Sequence, residues 1–182
     1  MRYHLMKELE AYEGQADEMK FIPDVLHLLN TKENCFYRDC FDPGHITGSA
    51  LLINATSDKV LLNHHKIFDK WMNFGGHADG QEDIKAVAWR ETIEESGIQD
   101  INFFKQGIFD IDIHLVPENS HKKEKAHFHY DIKFLLQANT EEFHLSDESV
   151  DLKWCSYEQA QELVQNDQPM KRVLSKWHNL SL

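Results

Sequence analysis

The chain has 182 residues, and at about 100–200 residues per domain this length fits one domain with a short appendage at most. A hydrophobic fraction of 41% is enough to build a core, while the net charge of −12 argues against a nucleic-acid polymer as partner. Three cysteines, an odd number, argue against a disulfide framework, and no apolar run has the length of a signal-peptide core or a membrane span. We therefore expect a soluble, cytoplasmic protein with no membrane partner.

The first part of the chain has a helical pattern. One apolar face is formed by Leu5, Leu9 and Tyr12 and ends at Gly14, and a second is formed by Met19, Ile22, Leu26 and Leu29. This pattern predicts an N-terminal helical extension over residues 1–40, followed by the main domain over residues 41–182.

The main domain begins with a change to strand-forming sequence. Apolar and β-branched runs predict strands over 46–53, 59–62, 103–115, 126–137 and 150–154. Helical patterns cover 83–96, where Gly97 is suited to end the helix, and then 157–165 and 169–178. Strands interrupted by one helix and closed by others predict an α/β fold with a mixed sheet covered by helices.

The predicted central helix carries three closely spaced carboxylates. Glu91, Glu94 and Glu95 stand at positions i, i+3 and i+4 and share one helical face. Like charges at this spacing repel, so the face either lies in water or binds a hard cation such as Mg²⁺ or Mn²⁺. A glycine-rich stretch beginning at Gly75 precedes the helix, and Arg90 is spaced to pair with Glu94. These two features favour the metal site.

The same segment resembles the Nudix box, G-x5-E-x7-R-E-U-x-E-E-x-G-U, in which U is a bulky aliphatic residue. Its charged and glycine positions are matched by Gly76, Glu82, Arg90, Glu91, Glu94, Glu95 and Gly97. Thr92 departs from the first U position, and Phe74 stands where Pro is frequent. The chain is therefore similar to the MutT-like Nudix hydrolase superfamily from about residue 45 to 164, and the first 40 residues lie outside the resemblance.

The resemblance implies a Nudix-type α/β/α sandwich and a hydrolase that uses Mg²⁺ or Mn²⁺. Its substrate would be a small nucleoside diphosphate derivative with a phosphoanhydride bond: a nucleotide sugar, ADP-ribose, a dinucleotide or a nucleoside triphosphate. Relatives often form dimers, so a homodimer is compatible with it. Two rival functions are a Nudix-fold binding or regulatory module without catalysis and a Nudix-fold prenyl-diphosphate isomerase. The three intact glutamates argue against the first, and the extra acid/base groups that the second needs are not identified in the sequence.

The resemblance also implies roles for individual residues. Glu91 and Glu95 would be the main metal ligands, Glu94 a ligand or a contact to a second ion, and Gly75 or Gly76 would add a backbone carbonyl. Arg90 would orient a carboxylate, and Glu82 would support the junction between loop and helix. The base that activates water would be a box carboxylate or an acidic residue of a later loop, where Glu148 is preferred over Glu141, Glu142 and Asp147.

Two strands carry a second group of polar residues. If strands 103–115 and 126–137 pair as a hairpin, one face collects Asp110, Asp112, His114, His127, His129 and Asp131. This face could line the substrate pocket, hold an additional metal, or be the solvated side of an antiparallel sheet.

Overall fold

The computed structural model describes residues 1–120 and 123–180. Its helices are α1 (Arg2–Glu10), α2 (Ala16–Met19), α3 (Ile22–Thr31), α4 (Ile84–Ser96), α5 (Tyr157–Leu163) and α6 (Gln168–Leu180). Its strands are β1 (Gly44–Ile53), β2 (Val60–His65), β3 (Lys70–Met72), β4 (Phe74–His77), β5 (Ile101–Phe103), β6 (Asp110–Val116), β7 (His127–Ala138) and β8 (Ser149–Cys155). Within these residues, no helix has the length and apolarity required to span a membrane.

The strands form one sheet with the order β3-β2-β1-β7-β5. Beside this path, β4 pairs with β1, β6 with β7, and β8 with β2. The predicted α/β fold is confirmed: a mixed sheet with helices on both of its sides. Residue contacts divide the chain into two compact units.

The first unit comprises Met1–Gly48, Gly76–Ala88 and Gly107–Phe134. It contains the N-terminal helices, of which α3 buries Val25, Leu28 and Leu29. The predicted apolar face of this region was therefore wrong in detail, since Met19 is 36% exposed and Leu26 is only partly buried. Both faces follow a helical period, and packing selects the one that contains Val25.

The second unit comprises Ser49–Gly75, Trp89–Gln106 and Leu135–Leu182. Strand β8 pairs with β2 from Val60↔Cys155 to His64↔Asp151 in an antiparallel register. Helix α6 buries Met170, Val173, Leu174 and Trp177, which lie at the spacing of one helical face. The buried side chains of α6 form part of the core of this unit.

The chain departs from the predicted elements at two places. A single strand was predicted over 103–115, but β5 ends at Phe103 and β6 begins at Asp110. Gly107 lies between them with φ +85°, a left-handed conformation that interrupts an extended strand. The glycine-rich stretch beginning at Gly75 was not among the predicted strands, but Phe74–His77 forms β4. This segment is a strand because it pairs with β1, and a short sequence with two glycines gives no local indication of a strand.

Candidate metal and catalytic site

Helix α4 carries the acidic residues of the site in its last two turns. The helix ends at Ser96, and Gly97 follows with φ +72°, the left-handed residue that the sequence predicted after it. The guanidinium of Arg90 bridges two carboxylates, with Nη1 2.8 Å from Glu91 Oε1 and 3.2 Å from Glu94 Oε2. Arg90 thus pairs with Glu94, as its spacing indicated, and also with Glu91, while its role as an orienting residue stays a prediction.

Glu95 is held from two directions by neutral donors. Its side chain is buried, the residue being 6% exposed. The backbone N–H of Gly75 donates to Oε1 at 3.1 Å, and the amide of Asn63 donates to Oε2 at 2.8 Å. The resemblance implied a backbone carbonyl of Gly75 or Gly76 as a metal ligand, and this stays a prediction; the observed contact is made by the N–H of Gly75. Asn63, which lies on β2, was missed because nothing in the sequence links this asparagine to residues 32 positions later.

Electrostatic conditions at the site disfavour so many negative charges. Burial raises the pKa of Glu95 to about 7 against the effect of its two hydrogen bonds, and the charges of Glu91 and Glu148 add to the increase. Burial also raises the pKa of Glu91, opposed by Arg90 and reinforced by Glu94 and Glu148. The cluster therefore has more negative charge than its one arginine neutralises.

The charge of Glu148 raises the pKa of both Glu91 and Glu95. Among the described acids of the later loop, Glu148 is the one with this effect on both carboxyl groups. Its side chain is 68% exposed, with Oε2 3.9 Å from Nε2 of His65. By contrast, Glu141 is engaged elsewhere, since it accepts hydrogen bonds from Asn54 and Lys59. Of these two acids, Glu148 thus has the electrostatic influence on the box carboxylates, and its role as a base stays a prediction.

Two further box residues lie in the first unit. Gly76 is part of β4 and is partly buried, and its role as a carbonyl ligand stays a prediction. The carboxylate of Glu82 accepts a hydrogen bond from the backbone N–H of Arg2 at 3.1 Å and lies 3.6 Å from the N-terminal ammonium. Glu82 therefore fastens the start of α1, a contact that the box pattern does not predict.

The residues around Glu95 suit a hard divalent cation. The available groups are the carboxylate oxygens and the Oδ1 of Asn63. This Oδ1 is buried and has no hydrogen-bond partner within the part of the chain that the structure describes. Oxygen ligands of this kind are those that Mg²⁺ and Mn²⁺ prefer. A bound cation would also offset the charge repulsion that raises the two carboxyl pKa values.

The predicted polar hairpin exists, and most of its polar face is buried. Strand β6 pairs with β7 in the register Asp112↔Asp131 and His114↔His129. Asp110, Asp112, His127 and Asp131 are each at most 5% exposed, so the interpretation as a solvated sheet face was wrong. Asp131 forms a buried ion pair with Lys133 and accepts a hydrogen bond from Thr47 at 2.9 Å.

Histidines gather at one end of this hairpin. His45 of β1 and His77 of β4 lie beside His129, with ring centroids 4.8 and 5.2 Å from it. Burial lowers the pKa of His77 to about 4 and that of His129 to about 2, with neighbouring positive charges adding to both decreases. His129 was expected on the hairpin face, but His45 and His77 were not expected beside it, because their positions follow from strand pairing.

The NUDIX domain family model matches residues 44–177 of the chain. A "Probable DHNTP pyrophosphohydrolase" of Lactococcus lactis subsp. cremoris (strain MG1363) is 29% identical over 146 residues, which cover 78% of this chain and 81% of that protein. In fold, the chain is similar to a C. elegans Ap4A hydrolase (TM-score 0.58, 21% identity, 74% of this chain and 96% of the other). It is also similar to the E. coli dihydroneopterin triphosphate pyrophosphohydrolase (TM-score 0.55, 13% identity, 74% and 95%).

Proposed function

This chain belongs to the NUDIX domain family as a pyrophosphohydrolase, and from that premise we propose that it uses Mg²⁺ or Mn²⁺ to hydrolyse the phosphoanhydride bond of a small nucleoside diphosphate derivative. The observation that carries the proposal is the pair Glu91 and Glu95. Both carboxyl groups are largely withdrawn from water and have raised pKa values, beside the further charges of Glu94 and Glu148. A divalent cation balances this arrangement.

In this proposal, Glu91 and Glu95 are the main ligands of the cation and Glu94 contacts a second ion. Arg90 keeps Glu91 and Glu94 oriented through its two ion pairs. The N–H of Gly75 keeps the Glu95 carboxylate in position. A divalent cation, when bound, neutralises the phosphate charges and makes the attacking water more acidic.

Glu148 is the proposed base. Its side chain is exposed and can therefore contact a bound substrate. Its charge raises the pKa of Glu91 and Glu95, which supports a position near the metal ligands. Its carboxylate takes the proton of the attacking water while the new P–O bond forms and the bridging P–O bond breaks. The alternative base is a box carboxylate, and Glu148→Gln separates the two. If Glu148 is the base, kcat falls by about 100-fold or more while the Mg²⁺ requirement is unchanged. Asp147→Asn tests the neighbouring acid in parallel and should keep normal kcat. A Glu148→Gln variant with normal kcat would assign the base to a box carboxylate or to another acid of the later loop.

The substrate class is tested with a panel of phosphoanhydrides. Three similar proteins are named for their substrates, two for dihydroneopterin triphosphate (DHNTP) and one for Ap4A. The panel therefore contains both compounds, with nucleotide sugars, ADP-ribose and nucleoside triphosphates. We expect product release from at least one compound with Mg²⁺ or Mn²⁺ and none in EDTA. Full activity in EDTA contradicts the metal dependence.

The same panel separates the two rival functions. A binding module without catalysis would shift the melting temperature with a nucleotide but release no product. An isomerase would act on a prenyl diphosphate and leave every nucleotide intact. Glu95→Gln is the inactive reference, and Glu162→Gln on the exposed face of α5 is its matched control.

A further inference from the structure

Three histidines from three strands meet in the first unit, and the proposed function gives them no role. His45 lies on β1, His77 on β4 and His129 on β7. One ring nitrogen from each lies within 4.8 Å of the other two. The residues are far apart in sequence, so the fold alone brings them together.

Two of the three rings, those of His45 and His129, have a buried nitrogen that is available to bind a ligand. His45 donates from Nδ1 to the Cys40 carbonyl at 3.2 Å, because a carbonyl can only accept, and its Nε2 therefore carries a lone pair. This Nε2 and that of His129 are buried and have no hydrogen-bond partner within residues 1–120 and 123–180. A buried nitrogen lone pair without a partner is costly, and a bound ion removes that cost.

His127 shows the same arrangement beside the three. Its Nδ1 donates to the Lys125 carbonyl at 2.7 Å, and its ring stacks on His45 at a centroid distance of 4.8 Å. Its Nε2 is also buried without a partner in the described part of the chain. Histidines that bind metals typically donate the opposite ring N–H to a carbonyl or carboxylate, which fixes the tautomer. His45 and His127 both meet this condition.

The chemistry of the cluster selects the class of ligand. Uncharged imidazoles do not attract an anion such as phosphate, and they are poor ligands for Mg²⁺, which prefers oxygen. Imidazole nitrogen suits zinc and related transition-metal ions. A tetrahedral zinc site with Zn–N bonds of about 2.0–2.1 Å has nitrogens about 3.3 Å apart. The three nitrogens, which lie within 4.8 Å of one another, would have to move closer together by side-chain rotation to reach this spacing.

We propose that His45, His77 and His129 bind one zinc-type transition-metal ion through their imidazole nitrogens. This residue set shares no member with the carboxylates of α4, and the proposal does not depend on the function proposed above. The ion would link β1, β4 and β7 within the first unit.

The first test is a cobalt titration of metal-stripped wild-type protein in excess Mg²⁺, which occupies carboxylate sites. We expect one equivalent of Co²⁺ to bind with the intense visible absorption of a tetrahedral ion, and Zn²⁺ to displace it. X-ray absorption of the zinc-loaded wild-type protein should show imidazole ligands. Absence of the cobalt spectrum, or a zinc shell made of oxygen alone, would overturn the proposal, and neither result depends on the folding of a variant.

The second test assigns the ligands. Zinc affinity is measured by competition with a chromogenic chelator for His45→Gln and His129→Gln, after circular dichroism has shown that each metal-free variant folds. We expect zinc affinity to fall by about 100-fold or more. Loss of a residue that only hydrogen-bonds to a metal ligand typically costs about 10–100-fold, so a larger decrease identifies a direct ligand. His114→Gln is the matched control, since its ring lies 5.4 Å from His129 outside the proposed set. Unchanged affinity in both ligand variants, or loss of zinc binding in Glu95→Gln instead, would refute the assignment.

Discussion

Replacing Glu95 with glutamine should make the metal-free protein more stable and the enzyme inactive. The substitution keeps the size of the side chain and removes its charge. Glutamine retains one oxygen for the Gly75 N–H. Its new NH₂ group can donate to the Oδ1 of Asn63 once the Asn63 amide turns over, and that oxygen has no other partner within the described residues. The hydrogen bonds can therefore be kept while the buried charge is lost.

The size of the stabilisation follows from the pKa of Glu95. Burial raises this pKa from 4.5 to about 7, and at about 1.4 kcal/mol for each tenfold change in proton affinity the difference is up to about 3 kcal/mol. Because the folded-state pKa is above the unfolded value, the penalty is absent below pH 4.5 and complete above about pH 7. For a chain of this length, about 3 kcal/mol corresponds to roughly 6–12 °C in Tm.

The assay compares thermal unfolding of wild type, Glu95→Gln and the surface control Glu162→Gln in EDTA at pH 5 and pH 8. We expect Glu95→Gln to melt higher at pH 8, by much less at pH 5, and the control to match wild type at both. With Mg²⁺ and substrate, kcat of Glu95→Gln should fall by about 100-fold or more, since a cation supplies several kcal/mol to the transition state. A Glu95→Gln variant that is destabilised equally at both pH values would refute the reasoning.

Further predictions concern the packing of the chain. Gly97→Ala should destabilise by about 1–3 kcal/mol in urea unfolding, because φ is +72° and a Cβ would meet a neighbouring side chain at 2.8 Å. Gly107→Ala has a similar φ and open space, so it should cost less; an equal cost would mean that the close contact is irrelevant. Lys133→Met should cost about 3–5 kcal/mol by the same method, because it leaves the buried Asp131 without its ion-pair partner. The exposed control Lys153→Met should change little, and equal losses in both would contradict this reasoning. Thiol titration at pH 8 should label no cysteine until denaturant is added, since burial raises each thiol pKa, and fast labelling of native protein would refute this for Cys35, Cys40 and Cys155.

The parts of this protein that depend on local interactions could be predicted from its residue order. Helix α4 begins at Ile84 and ends just before Gly97, as its pattern indicated, because helical period and a left-handed glycine are local properties. Strands β6 and β7 pair as the hairpin that was considered from their alternation of polar and apolar residues, and this alternation places the polar side chains on one face. The box spacing identified the family for the same reason: it is a pattern along the chain. The division near residue 40 stays a prediction.

Only tertiary packing could decide which of the acidic and histidine side chains are buried and which residues they contact. Glu94 and Glu95 are adjacent glutamates, yet Glu94 is exposed, whereas Glu95 is buried and accepts hydrogen bonds from Asn63 and Gly75. In the same way, His45, His77 and His129 share no local pattern and meet because their strands are brought together. Burial and long-range contact depend on how elements assemble, and in a single sequence these positions carry no signal of it.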